Sequence, residues 1–191
     1  MTAHQPRAVT EADLARIAQF NRTETTFPDN VTLQELIEAQ VDKHSSQTAV
    51  ICDHDKVFGL PSLTYAQLDD KVNQLAHLLR AEGVRPGHIV ALMVERSFAM
   101  TIGILGIVKA GAAYLPVSPD NPADRIDYML KVGGVKVLLV QQKTAGRIAF
   151  AGLVINLDDL DVYRGSTARP GILNKPQDLA YVNDGTPKTL S

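Results

Sequence analysis

Tryptophan is absent from this chain and cysteine occurs once, as Cys52. One thiol cannot close an internal disulfide or complete a multi-cysteine zinc site, and it fits a reducing compartment, so a cytoplasmic location is the expectation. Aromatic residues are scarce at 5%, and 13 glycines with 10 prolines in 191 residues exclude collagen-like and low-complexity classes. An excess of either charge is also missing: 19 Lys and Arg oppose 21 Asp and Glu for a net charge of -2. That balance leaves no electrostatic footprint for nucleic acid or an anionic membrane, and neither partner is expected. Residues 1–10 hold a single Arg and no apolar stretch, so no secretory signal is expected. The most apolar run, 98–119, is interrupted by Gly103, Gly106, Lys109, Gly111 and Pro116. It lacks the roughly 20 uninterrupted apolar positions of a membrane span. What remains is ordinary globular composition, 45% hydrophobic and 21% charged, at a length that suits one domain.

Helix start signals punctuate the first half. Thr10-Glu11-Ala12-Asp13 fits a cap, and Thr32-Leu33-Gln34-Glu35 and Thr64-Tyr65-Ala66-Gln67 read as capping boxes, each followed by an apolar stripe at helical spacing. Val31 and Leu36 stand at the positions of a hydrophobic staple. Residues 21–30 are polar and without period, an extended connector. Thr48 to Cys52 reads as a strand, Asp53 to Lys56 as a turn, and a return strand reaches Leu63, which makes a hairpin. Gly83 suits the left-handed position that ends the helix beginning after Thr64.

Beyond Gly83 strands and helices alternate: strand 88–94, helix 98–110, strand 112–117, helix 122–132, strand 135–140 and strand 153–157. Such alternation predicts parallel pairing through right-handed crossovers. Ile89 to Val94 and Val137 to Val140 are continuously apolar, as strands covered on both faces must be. The expected fold is therefore α/β, a doubly wound, largely parallel sheet with flanking helices. Asn121-Pro122 is read as a cap with proline at the first helical position. Residues 164–177, rich in Gly, Pro, Ser and Thr, read as a loop or linker.

Candidate chemistry is sparse. His4, His44, His54, His77 and His88 share no metal-ligand spacing. Asp69 and Asp70 are adjacent on a helix, about 100° apart, and are read as solvated surface. Asp158, Asp159 and Asp161 follow a strand, where a solvated turn is the expectation. No G-x-S-x-G nucleophile elbow occurs, and Gly133-Gly134 precedes a strand, the wrong side for a dinucleotide fingerprint. Cys52 is read as an inert thiol buried in a strand. Glu95-Arg96-Ser97 lies at a strand's carboxyl end, where open α/β sheets bind ligands. The structural reading of the same string pairs Arg96 with a carboxylate and makes Ser97 a helix cap.

Several strings carry a resemblance. Leu63 to Leu68, Asn73 to Arg80 and Gly83 to Gly87 resemble the first core motif region of nonribosomal peptide synthetase adenylation domains, of the AMP-forming, acyl-adenylating superfamily. Glu95-Arg96-Ser97 and Val108 to Val117 resemble the stretch that follows, including the second core motif, and Pro119 to Pro122 with Arg125-Ile126 extend it. Ser118 departs from the family's usual Asp. Asn21-Arg22-Thr23 and Leu33 to Leu36 are similar to the linker joining a condensation domain to an adenylation domain. The likeness runs from about residue 10 to 182.

This resemblance implies a parent reaction in two steps. An amino-acid carboxylate attacks the α-phosphate of Mg-ATP and releases pyrophosphate, and the aminoacyl adenylate is then transferred to a carrier-protein thiol. It also implies three segments: linker-like helices over 1–45, the α/β sheet region over 46–160, and a loop with a degenerate phosphate-loop entry over 161–191. Asp178 to Val182 enters the phosphate-loop motif as the family does, but Asn183-Asp184-Gly185-Thr186-Pro187-Lys188-Thr189 follows where a longer Gly-, Ser- and Thr-rich string is usual. Gly185 and Lys188 are remnants of nucleotide-binding residues; no catalytic or metal residue is expected. The expectation is an N-terminal fragment, inactive alone, whose family uses ATP and Mg²⁺ and places phosphopantetheine only on a partner carrier domain. No cofactor is expected on this chain alone. A condensation domain, a carrier protein or a complementary adenylation fragment are the expected partners. The alternatives are a free-standing doubly wound module that binds a nucleotide or anion, and a non-catalytic docking piece for a condensation domain.

Overall fold

The computed structural model describes residues 9–26, 28, 30–183 and 186–189, the last four by their backbone alone. Three helices start as the capping pattern dictates. In α1 (Glu11–Phe20), α2 (Leu33–His44) and α3 (Tyr65–Ala81) the threonine side chain accepts the third backbone N–H, and Asp13, Glu35 or Gln67 reaches back to the threonine N–H. The Thr32 N–H and hydroxyl hold the Glu35 carboxyl below its ordinary range. α3 ends in a Schellman motif, with Val84 N–H on the Leu79 carbonyl, Gly83 N–H on that of Arg80, and Gly83 at φ 86°.

A short antiparallel hairpin, β1 (Thr48–Ile51) and β2 (Ser62–Thr64), precedes α3. The main sheet has the order β6-β5-β3-β4-β7-β8. Its strands are β3 (Ile89–Met93), β4 (Ala113–Pro116), β5 (Val137–Val140), β6 (Leu153–Asn156), β7 (Leu179–Asn183) and β8 (Thr186–Thr189). The first five pair in parallel, and β8 runs antiparallel to β7. α4 (Phe98–Ala110) joins β3 to β4, and α5 (Ala123–Val132) joins β4 to β5. Val90 and Leu92 of β3 pack with α3 and α4 on one face, while Ala91 and Met93 pack with α5 on the other. The sheet is thus doubly wound, and the alternation of β3 side chains supplies both cores.

α3 and α4 pack closely because Gly106 has no side chain. A Cβ there would stand 2.7 Å from Leu75 Cδ2 and 2.9 Å from its Cγ, and Leu75 is fully buried. Gly106→Ala should therefore destabilise the chain, since overpacking costs about 1–3 kcal/mol and exceeds the ~1 kcal/mol gained in helix propensity. A lower urea midpoint checks this; a higher one would mean that the two helices separate freely.

The structure revises several sequence readings. Asp69 is not solvated: it is 8% exposed and accepts from Lys109 Nζ at 2.6 Å, because Lys109 is itself fully buried and needs a carboxylate. Asp70 is exposed as expected. Pro122 is the N-cap of α5, its carbonyl taking the first helical bonds from Arg125 and Ile126, so Asn121 lies one residue outside the helix. Cys52 lies just past β1 and is half-buried, its N–H bonded to the Pro61 carbonyl. Residues 164–178 contain no helix or strand, but they are no free linker, being bonded to α2, α3 and α4.

Candidate functional site

In an open α/β sheet a ligand crevice forms at the carboxyl ends of the strands, where successive connections depart to opposite faces. Here α4 carries the chain from β3 to β4 on one face and α5 carries it from β4 back to β5 on the other. The reversal falls between the carboxyl ends of β3 and β4. A cleft of about 720 Å³ opens there, floored by Leu92, Val94, Pro116 and Val117 and rimmed by Glu95, Arg96, Ser118, Asp120, Asn121 and Asn183.

The loop after β3 is held from the side. Glu95 N–H donates to Gln141 Oε1 at 2.7 Å, and Lys143 Nζ lies 3.2 Å from Glu95 Oε2. Thr144 Oγ1 donates to the Met93 carbonyl at 2.9 Å. Gln141 Nε2 and the Gln142 N–H both donate to the Asp158 carboxylate, which ties the ends of β5 and β6 together. Asp158 is thus a structural acceptor; Asp159 accepts from the Asp161 N–H, and Asp161 pairs with Arg164 at 2.7 Å. Across the cleft, Ser118 Oγ accepts from the Asp120 N–H at 3.3 Å and its carbonyl accepts from the Asn121 N–H.

Both helices that flank the cleft begin without a side-chain cap. Ser97 precedes α4 but its hydroxyl donates to the Glu95 carbonyl at 3.1 Å, and the expected cap is not made. Pro122 has no capping side chain. Arg96 is exposed and makes no ion pair among the described residues, so the expected structural pairing is absent. A cationic side chain beside uncapped helix N-termini favours an anion, while Glu95 and Asp120 on the same rim oppose one. No hydroxyl, imidazole and carboxylate come together in the cleft as a nucleophile with its base. Nor does any group of three or more His, Cys, Asp or Glu suited to a metal ion occur among the described residues.

A second hollow of about 280 Å³, bounded by Leu36, Val41, Leu68, Val72 and Leu105, lies on the helical layer. It is apolar and its one carboxylate, Asp69, is already engaged by Lys109, so it offers a ligand no polar handle.

Of the sequence-predicted site residues, Gly185 lies outside the described residues, and Lys188 is placed by its backbone alone, in β8 opposite Tyr181. Asn183 pairs with Thr186, Val182 with Pro187 and Tyr181 with Lys188, so only two residues connect β7 to β8. A phosphate cradle needs several convergent N–H or hydroxyl donors. A two-residue connection is short for such a set. Ser118, Asp120, Asn121 and Asn183 escaped the sequence reading as site residues. Their signal was their place after β4 and β7, which acquires meaning only once the strand order is known.

The comparisons converge. A family model described as AMP-binding enzyme matches residues 37–183. Gramicidin S synthase 2 of Brevibacillus brevis is 42% identical over 164 residues, which are 86% of this chain and 4% of that protein. Bacitracin synthase 1 of Bacillus licheniformis is 41% identical over 186 residues, 94% of this chain and 3% of the relative. Among solved structures, the nonribosomal peptide synthetase FmoA3 in its AMPPNP-bound form superposes with a TM-score of 0.78 at 30% identity, over 90% of this chain and 18% of that one. The N-terminal subdomain of Klebsiella oxytoca NpsA, at 23% identity and a TM-score of 0.68, covers 85% of this chain and 42% of its own, and shares the fold. This chain spans only a few per cent of the length of the curated relatives.

Proposed function

Because the chain belongs to the AMP-binding enzyme family, we propose that it is the opening portion of an adenylation domain of nonribosomal peptide synthesis. The parent reaction joins an amino acid to ATP as aminoacyl-AMP with release of pyrophosphate, followed by thioester formation on a carrier protein. ATP with Mg²⁺ supplies the leaving group and charge compensation in that reaction, and phosphopantetheine on a partner carries the product. This chain's own part is scaffolding. Its parallel sheet and first helical layer form one side of the domain, and 33–44, in the linker-like segment 1–45, are docked on the sheet-bearing region 46–160.

The register of β7 and β8 is the observation that supports the inactive reading of the isolated chain, since Asn183 pairs directly with Thr186 and the family's longer phosphate loop has no room between them. Gly185 and Lys188 are remnants of that loop in 161–191, and they supply too few donors to hold a triphosphate. A condensation domain, a carrier protein and a complementary adenylation fragment are the partners this reading calls for. No described helix is long and apolar enough to cross a membrane.

ATP–pyrophosphate exchange by the isolated chain, with Mg²⁺ and a mixture of the proteinogenic amino acids, should stay at background; exchange above background would sink the inactive reading. A second reading, an anion-binding module, is favoured by the uncapped starts of α4 and α5 beside Arg96. Saturable ATP binding without exchange, weakened by Arg96→Gln, would select it.

A further inference from the structure

Residues 164–178 have no internal ladder of hydrogen bonds, yet their carbonyls are met one after another by side chains of the helical layer. From α3, Asn73 Nδ2 donates to the Thr167 carbonyl at 2.8 Å, Gln74 Nε2 to Gly165 at 3.2 Å, His77 Nε2 to Ala168 at 2.8 Å and Arg80 Nη2 to Gly171 at 2.7 Å. Asn73, His77 and Arg80 stand at i, i+4 and i+7, one stripe of the helix. From α2, Gln34 Nε2 donates to the Pro170 carbonyl at 3.0 Å. Arg169 sits at the centre. Its Nη2 and Nη1 grip Asp42 of α2 at 2.6 and 3.1 Å, and its Nε lies 3.4 Å from Asp69 of α3. Hydrogen bonding to Arg169 holds the Asp42 carboxyl below its ordinary range.

The segment leads straight into β7 through a turn in which Lys175 N–H donates to Asp178 Oδ2 at 2.8 Å. β7 in turn meets β4 through a single register pair, Tyr114 with Tyr181, whose rings stack at 5.7 Å.

We propose that residues 164–178 form a strap that opens as one unit and couples α2 to β7, with Arg169 as its clasp. The coupling follows from where the bonds go. Without a ladder of its own, the strap is ordered only while both helices grip it, so losing the central clasp releases the flanking carbonyl bonds together. β7 then loses its approach path, and α2 loses Arg169 and the Pro170 carbonyl. The polar positions of the Asn73 to Arg80 string find their purpose here, as the rail on which the strap lies. This inference goes beyond the proposed function and does not depend on it.

Hydrogen exchange of the whole chain, followed by mass spectrometry, tests it with Arg169→Gln. The strap is held through its carbonyls, so the readout is the amides of the elements it couples: exchange in 33–44 and 179–183 should rise together, by about tenfold or more, with β3 and β5 unchanged. Acceleration of only one of these two segments would overturn the coupling, as would equal acceleration throughout the sheet. If the variant does not fold, the wild-type chain serves in salt, because the Arg169 and Asp42 side chains are 35% and 67% exposed. Raising NaCl from about 0.1 to about 1 M shortens the screening length from ~10 to ~3 Å. The segments 33–44 and 179–183 should then accelerate together, and an unchanged pattern would equally overturn the proposal.

Discussion

Replacing Lys109 with methionine should cost about 3–5 kcal/mol, the loss expected when one partner of a buried ion pair is removed. The Lys109 side chain is fully buried and its ammonium contacts Asp69 at 2.6 Å, Glu38 at 3.0 Å and Asn73 Oδ1 at 2.8 Å. It thus joins α2, α3 and α4 at one point. Methionine fills a similar volume, so the loss comes from charge: two poorly solvated carboxylates would remain, Asp69 with Arg169 at 3.4 Å and Asn73 Nδ2 at 3.2 Å, and Glu38 with the neutral amide of Gln34 at 3.0 Å. Urea unfolding measures the loss. A domain of this size has about 5–15 kcal/mol of total stability, so the variant should sit near the edge of folding. A midpoint within experimental error of wild type would show that water reaches the site and that the pair is dispensable.

Phe98→Ala should be comparably damaging, at about 3–5 kcal/mol for a fully enclosed phenylalanine. Phe98 has no exposed surface and opens α4 at the edge of the cleft. Its ring lies 6.2 Å from that of Phe58, which meets Tyr163 edge-on at 5.3 Å and carries Lys71 Nζ 4.3 Å above its face. Tyr163 is fixed by a bond from its hydroxyl to the Leu157 carbonyl at 3.0 Å. The cavity would open where the hairpin loop, α3, α4 and the turn after β6 meet. Thermal or urea unfolding reads the effect. Phe58→Ala, at a half-buried position, should cost less. If the two variants are equivalent, the cluster is loosely packed and the argument from enclosure fails.

The capping boxes at Thr32 and Thr64, the hairpin and the run of parallel strands were legible in the residues because each rests on local physics: an orphan N–H satisfied three residues away, or an apolar run of strand length. The 98–110 helix was legible for the same reason, having an apolar composition on every side. The motif strings identified the family, and the comparisons agree. Asp69 was misread because adjacency on a helix says nothing about what stands opposite, and Lys109 comes from 40 residues downstream. The segment 164–177 was legible as a loop or linker, but its attachments were not, because its bonds run to helices 66 to 136 residues away in the chain. The cleft followed the same rule. Glu95 and Arg96 were visible at one strand end, but Ser118, Asp120, Asn121 and Asn183 joined them only through the strand order β3-β4-β7. Sequence alone determined the elements as far as β6 and their family, since those depend on neighbours along the chain, while β7 and β8 went unread. Tertiary structure decided which charges are buried, which loop is a strap and where the cleft opens, because a carboxylate's solvation and a carbonyl's partner are set by residues that only folding brings near.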